Sequence, residues 1–555
     1  MKEKNKTLSE YKYIVALILI YFAAHGISCV ISGIWWDDWT IWMSSSETIK
    51  NTFWSNGLPW EAYNLFSVMW IPNNGYKIIV FLLFLLGGIF FYNILLTINL
   101  FNEKDAFWIA AIYMTVPVND ARITLICYGY TLSLFLFLLA FFLITKMEQF
   151  SLVKRRIVKV ISLLLFLYSY TTASLLVMMC TVWLYLLYKT IKTHKGKSYM
   201  AYVKTFVLTY WDFLILPFIY FFIKNIFFRP SGRYANYNSV TTQALVKGVV
   251  LAPFASVKTF AIIVYNYCKQ FGLISIILIA FIVVVYFVKV GKKDFLKEKK
   301  QIKRNLLMFG IGALAYMAGV FPYIVVRAGA IVCTGVGGRD SMMAGFGISI
   351  MLYSFVKLTN FPHMLQKTVF ITAIILGIFH FNNWYLNYQE DWYQQLRFAN
   401  EVAENKELKN DTTVLCDFSY ESPCGATRFY TLNGISYYIT GKKDKFYMSS
   451  IQDLQYGVEY NIYFKEGFNA DDYDFYDTTV DSVLVIDNIP IENKKLLRLR
   501  FDEIFRPKVF KNNIDALCDI EYVSIPEQLS EEIYNVYFDN QLNSEILRGL
   551  VREER

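Results

Sequence analysis

The sequence predicts an α-helical polytopic membrane bundle of about eleven transmembrane helices over residues 1–385, followed by a small C-terminal extracytoplasmic α/β domain over 386–555. Three observations predict it. Apolar runs close to the roughly 20 residues that cross a bilayer recur through the first part of the chain. Hydrophobic residues make up 55% of the 555 positions and charged residues only 18%, where a soluble protein usually approaches about a quarter. The charge is also split: about 36 basic residues face about 14 acidic ones before position 385, and about 18 face about 31 after it. The net charge of +9 therefore combines two opposite imbalances, as expected of a chain that occupies two environments.

The start of the chain, Met1 to Lys12, is polar and basic, and the apolar run after it is too long for a cleaved signal peptide. It is read as a retained first helix. Apolar runs lie near 13–35, 78–100, 106–118, 129–145, 205–227, 271–290, 305–326, 342–356 and 368–384, the third of them short and ending at Pro117. The stretch 160–188 holds too many residues for one upright helix and too few for two full ones. Arg155, Arg156 and Lys159 flank one end, and Lys189, Lys192, Lys195 and Lys197 flank the other. Basic residues mark the cytoplasmic face. Both ends are then inside, and the segment is a hairpin of two short spans turning within Tyr168–Ser174.

The same count puts the N-terminus and the basic loop Lys289–Arg304 in the cytoplasm and the C-terminal domain outside, as for a multi-pass protein of the plasma membrane. The lysines sit in short loops between spans, so the positive charge does not point to nucleic acid. The outer loops become 35–77, 118–128, a turn near 170, 228–270 and 327–341. The first and fourth are long enough for interfacial helices of their own. Trp35, Trp36, Trp39, Trp42, Trp54, Trp60 and Trp70 read as an aromatic belt at headgroup level.

Beyond 385, Trp392–Leu408 has a helical rhythm, and Thr412–Asp417, Ser482–Asp487 and Ile520–Ile525 are strand-like. The acidic stretch 471–477 reads as a surface loop. The eight cysteines show no metal-binding spacing, although Cys416 and Cys424 could pair across a short loop. The histidines, His25, His194, His363 and His380, are scattered, and His25 reads as a hydrogen-bonded packing residue. Asp212 lies within a span near its cytoplasmic end, where an interface-facing role is expected.

Chemistry is concentrated in the outer loops. Trp35-Trp-Asp-Asp-Trp39 puts two carboxylates, Asp37 and Asp38, just after the first helix. Carboxylates near lipid are expensive unless solvated, paired or functional, and the bland reading is a solvated loop end. Asn119-Asp-Ala-Arg122 offers Asp120 as a metal or acceptor ligand, or else an internal pair with Arg122. Arg229, Arg233, Arg327 and Arg339 fall outside, against the usual charge bias. A guanidinium fork matches phosphate geometry. The Gly337-Gly-Arg-Asp-Ser341 turn lets backbone approach a ligand closely. Headgroup anchoring is the bland alternative for each arginine.

A retained first helix, an acidic pair at its outer end, a long first loop, a short third span ending in proline, and many further spans together resemble the GT-C superfamily of membrane glycosyltransferases. Within it, the chain looks most like the bacterial Gtr type II glucosyltransferases that decorate surface polysaccharides. The resemblance covers residues 1 to about 385 and rests on the order of features. It implies transfer of a hexose from a polyprenyl phosphate-linked donor to a cell-surface glycan at the outer face. Asp37 is then the base or a metal-linked acid, seconded by Asp38. Asp120 and Arg122 assist, and Arg339, Arg327, Arg229 and Arg233 hold the phosphate. A divalent cation (Mg or Mn) held by Asp37 and Asp120 is the cofactor the resemblance suggests. Two other readings fit the same features: a polysaccharide polymerase or lipid-linked oligosaccharide transporter, and a non-enzymatic membrane scaffold that displays its outer domain.

Overall fold

The computed structural model describes residues 2–71, 75–98, 100–194, 198–235, 240, 242, 245–266, 299–327, 334–359, 361–418, 429–442, 445–449, 480–488, 490–514 and 517–524. The fold is mostly helical. Among the described residues, eight helices are long and apolar enough to cross a membrane: Tyr11–Cys29, Tyr76–Thr97, Leu125–Gln149, Ala173–Thr193, Tyr199–Phe227, Leu245–Asn266, Gln301–Val326 and His363–Glu404. The chain is a multi-pass membrane protein. Helices suit this environment because lipid offers no partner for backbone N–H and C=O groups, which must bond within the segment.

Three further helices in the same region are shorter or more polar: Glu103–Thr115, Leu152–Ser169 and Gly345–Leu358. The first opens with Asn102 accepting from the Asp105 N–H at 2.9 Å. It ends where Pro117 forces Val116 into extended backbone (ψ 129°). The expected break within 160–188 is present, as the helices Leu152–Ser169 and Ala173–Thr193 around the turn at Tyr170–Thr172; of the two, Ala173–Thr193 is long and apolar enough to cross a membrane. Asp212, expected to face the interface, meets Lys159 at 2.6 Å across two helices. The 228–270 stretch, expected as an outer loop, contains the apolar helix Leu245–Asn266. Lys247 and Lys258 interrupt its apolar run, so the segment does not read as a span in the sequence. The expected span 271–290 and the acidic stretch 471–477 lie outside the described residues, as does Cys424. Its suggested partner Cys416 is buried in a strand.

By compactness the chain divides into two units, Met1–Val30 with Ser55–Asn382, and Ile31–Trp54 with Asn383–Arg555. In the first, glycines let helices touch backbone to backbone. A Cβ on Gly347 would overlap the backbone of Tyr316, and one on Gly377 would overlap the carbonyl of Thr115. Small residues at such crossings are how helices associate in lipid, where burial of apolar surface gives little driving force.

The second unit is built on a four-stranded sheet of β1 (Thr413–Phe418), β2 (Phe446–Met448), β3 (Ser482–Asn488) and β4 (Cys518–Ser524), in the order β2-β1-β3-β4. β1 runs parallel to both its neighbours, and β4 closes the far edge antiparallel to β3. Three strands match those expected; β2, three residues long, is too short to show a pattern. Val414, Leu415 and Cys416 are all buried, as a central parallel strand requires.

The first loop supplies part of this unit's core. Trp39 is 1% exposed and packs among Phe398, Val402, Val414, Tyr430 and Leu484. Its Nε1–H donates to Gln395 Oε1 at 3.1 Å, and Gly434 lies so near that a Cβ there would stand 2.8 Å from the indole. Trp35 is buried too and donates to the Tyr388 carbonyl at 2.9 Å. The expected aromatic belt is therefore corrected. Trp54, Trp60 and Trp70 are exposed, whereas Trp35 and Trp39 are core residues of a folded domain. Composition alone does not separate the two cases, because an indole that is amphipathic at an interface satisfies a domain core equally well when its N–H finds an acceptor.

Candidate functional site

Two short 3-10 turns, Asp120–Ile123 and Val336–Ser341, build the polar centre of the first unit. Gly335 sits at φ 68°, a conformation that glycine adopts without penalty. This aims its N–H at Asp120 Oδ2, 3.2 Å away. Ser341 Oγ donates to the Val118 carbonyl at 3.1 Å. Two segments that carry sequence candidates thus join each other.

Asp120 is fully buried, and its two carboxylate oxygens lie 3.0 and 3.1 Å from Nε2 of His380. Arg122, two residues on, is also buried. Its guanidinium donates to Nδ1 of His25, and Nε2 of His25 lies 2.8 Å from the Met114 carbonyl. A guanidinium can only donate and a carbonyl can only accept, so this imidazole is neutral with its proton on Nε2. The Arg122 charge stands 4.5 Å from the Phe84 ring, 5.2 Å from Phe381 and 6.0 Å from Tyr21. Ring faces of this kind stabilise a desolvated cation by about 2 kcal/mol. Arg122, assigned by the resemblance to substrate, is therefore enclosed in an aromatic box.

Arg339 is more open. Its side chain is partly exposed, and its Nε lies 3.8 Å from Oδ1 of the fully buried Asp340. Tyr130 and Tyr323 hydrogen-bond to each other within electrostatic range of it. A guanidinium so placed, with a buried network behind it, can bind an anion without first being ordered.

The other sequence candidates fall elsewhere. Arg229 is exposed, and the side chains of Arg233 and Arg327 lie outside the described residues. Asp37 and Asp38 belong to the second unit. Asp37 Oδ1 accepts from the Tyr430 hydroxyl at 2.7 Å, while Asp38 is fully buried. The preceding Trp36 is held at φ 54°, a strained conformation for a bulky residue.

The cation suggested for Asp37 and Asp120 finds a poor donor set. Among the described residues no three His, Cys, Asp or Glu side chains group as a metal site. Both Asp120 oxygens already accept hydrogen bonds.

His25 is the hydrogen-bonded packing residue the sequence suggests, although its partner Arg122 is 97 positions away. Two residues of this region escape sequence reasoning. His380 is separated from its partner by 260 positions, and no local pattern announces it. Glu61 follows Pro59-Trp60 at the start of the helix Pro59–Met69. An acid beside interfacial tryptophan was the available signal. Burial raises the Glu61 carboxyl above the ordinary carboxylate range, partly opposed by hydrogen bonds from Asn64 and Thr171. The folded state then holds this proton more tightly than the unfolded chain, so rising pH favours unfolding. Thermal melts of purified protein should show wild type losing stability as pH climbs from about 4.3, the ordinary glutamate value, through the raised one. Glu61→Gln should lack that decline. Parallel curves for the two proteins would refute the assignment.

No protein-family model matches the chain, and none of the curated proteins matches it.

Proposed function

We propose that this protein is an integral-membrane glycosyltransferase that moves a hexose from a polyprenyl phosphate-linked donor to a cell-surface glycan at the outer face. The observation that carries the reading is the junction of the 118–128 and 327–341 loops. It ties Asp120 to Gly335 and leaves Arg339 partly exposed in front of a buried charge network. Arg339 grips the anionic phosphate of the donor, whose negative charge grows as the glycosidic bond breaks. Asp120 and His380 hold the turn that presents it. The acceptor hydroxyl must lose a proton, a task for a carboxylate. The resemblance assigns it to Asp37 with Asp38. The finer view of the fold belongs to the same proposal: about eleven spans of GT-C type, the N-terminus in the cytoplasm and the sheet domain outside.

The test is transfer of radiolabelled hexose from a polyprenyl phosphate donor in membranes that contain wild type, Arg339→Ala or Asp37→Asn. Each substitution should lower transfer by about 100-fold or more, with protein levels unchanged. Full transfer by both variants would sink the reading.

A further inference from the structure

Trp60 and Tyr63 on the helix Pro59–Met69, and Trp70 just after it, are 45%, 56% and 76% exposed. Glu61 and Asn64, three residues apart, share another face and meet neighbouring helices, while Ser67 lies on the exposed side. Asn64 Nδ2 donates to Glu61 Oε2 at 3.1 Å, the Tyr168 hydroxyl donates to Asn64 Oδ1, and Thr171 bonds Glu61. Ser67 bonds Tyr128. Tyr128, Tyr130, Tyr168 and Tyr220 all lie close enough to feel the Glu61 charge. The Glu61 carboxylate packs against Gly129, where a Cβ would overlap it and oblige the acid to shift. In the turn that supplies Thr171, the Tyr170 hydroxyl, Thr172 Oγ1 and Ser174 Oγ are buried without a hydrogen-bond partner among the described residues.

Simple packing does not call for this composition. A half-buried carboxyl is costly, and a helix whose other face carries exposed aromatics could have turned alkyl side chains inward. The bonded neighbours of Glu61 are neutral, which disfavours an anionic ligand. A single carboxylate is too small a donor set for a divalent cation. Tyrosine rings, one carboxyl, one amide and several hydroxyls suit a neutral, polyhydroxylated ring: apolar C–H faces against the aromatics, hydroxyls on Glu61 and Asn64.

We propose that Glu61, Asn64, Tyr168 and Thr171, with the tyrosines around them, form a binding site for a neutral hexose unit. The choice of hexose rests on the glycosyltransferase reading; the polar site itself does not. The test is saturation-transfer NMR on the full-length protein in detergent. The probes are methyl α-D-glucoside, methyl α-D-galactoside and methyl α-D-mannoside, presented to wild type, Glu61→Gln, Glu61→Ala and Tyr168→Phe. At least one probe should bind wild type and bind the variants about fivefold more weakly or less, the effect of one lost hydrogen bond. Glu61→Gln keeps the shape of the side chain and guards against a folding defect in the alanine variant. If no probe binds wild type, or if Glu61→Gln, Glu61→Ala and Tyr168→Phe all bind as wild type does, the site is refuted. Hexoside binding by a wild-type protein that transfers no sugar would remove the enzyme reading while leaving the site in place. Transfer without hexoside binding would do the reverse.

Discussion

Replacing Trp39 with alanine should destabilise the second unit by about 3–5 kcal/mol, the usual cost of deleting a buried large aromatic. The side chain is 1% exposed and surrounded by strand and helix residues of the sheet domain. Its loss removes apolar burial, leaves a cavity beside β1 and deprives Gln395 of its indole donor. Gly434, which leaves room for the indole, cannot fill the gap. Trp70→Ala is the matched control. That indole is 76% exposed, so a change within about 0.5 kcal/mol is expected. Limited proteolysis against temperature, read at cleavage sites within 383–524, would measure both. If Trp39→Ala resists cleavage to the same temperature as Trp70→Ala, the first loop is not part of that domain's core.

The second large effect is expected at Asp120. Asp120→Ala removes the acceptor for His380 and for the Gly335 N–H in a fully buried setting. Breaking one side of such a pair typically costs about 3–5 kcal/mol, much of it from stranding the partner. His380→Ala should be milder, because the remaining carboxylate still accepts from Gly335. The double variant should lose less than the two single losses combined, with a coupling of about 1–3 kcal/mol. Asp120→Asn keeps an oxygen for the N–H groups and should fall between wild type and the alanine variant. Thermal unfolding of the detergent-solubilised protein supplies all four values. Strict additivity of Asp120→Ala and His380→Ala would show that the pair is not an energetic unit. The same variants bear on function, since the pair holds the loop that presents Arg339.

Much of the architecture was legible before the fold was known, for reasons that are local. Pro117 ends its helix through the restriction it places on Val116, which follows from two adjacent residues. The break within 160–188 was readable from the lysines and arginines at both ends. β1, β3 and β4 showed as apolar runs of strand length. The helix Leu245–Asn266 was not legible, because Lys247 and Lys258 broke the run that marks a span. The candidate site was legible only in part. Asp120 and Arg339 were singled out for their positions in outer loops. The histidine that holds Asp120 was passed over, and Glu61 was hidden among tryptophans that dominate the first loop.

By itself, the sequence determined that this is a multi-pass helical membrane protein carrying a small sheet domain. Transfer to lipid depends on the composition of contiguous segments, and each helix closes its own hydrogen bonds. Only the tertiary structure decided which side chains meet: Asp120 with His380, Arg122 with His25, and Trp35 and Trp39 with residues of the sheet domain. Side-chain pairing depends on distances in space, and residues hundreds of positions apart acquire those distances only when the helices pack.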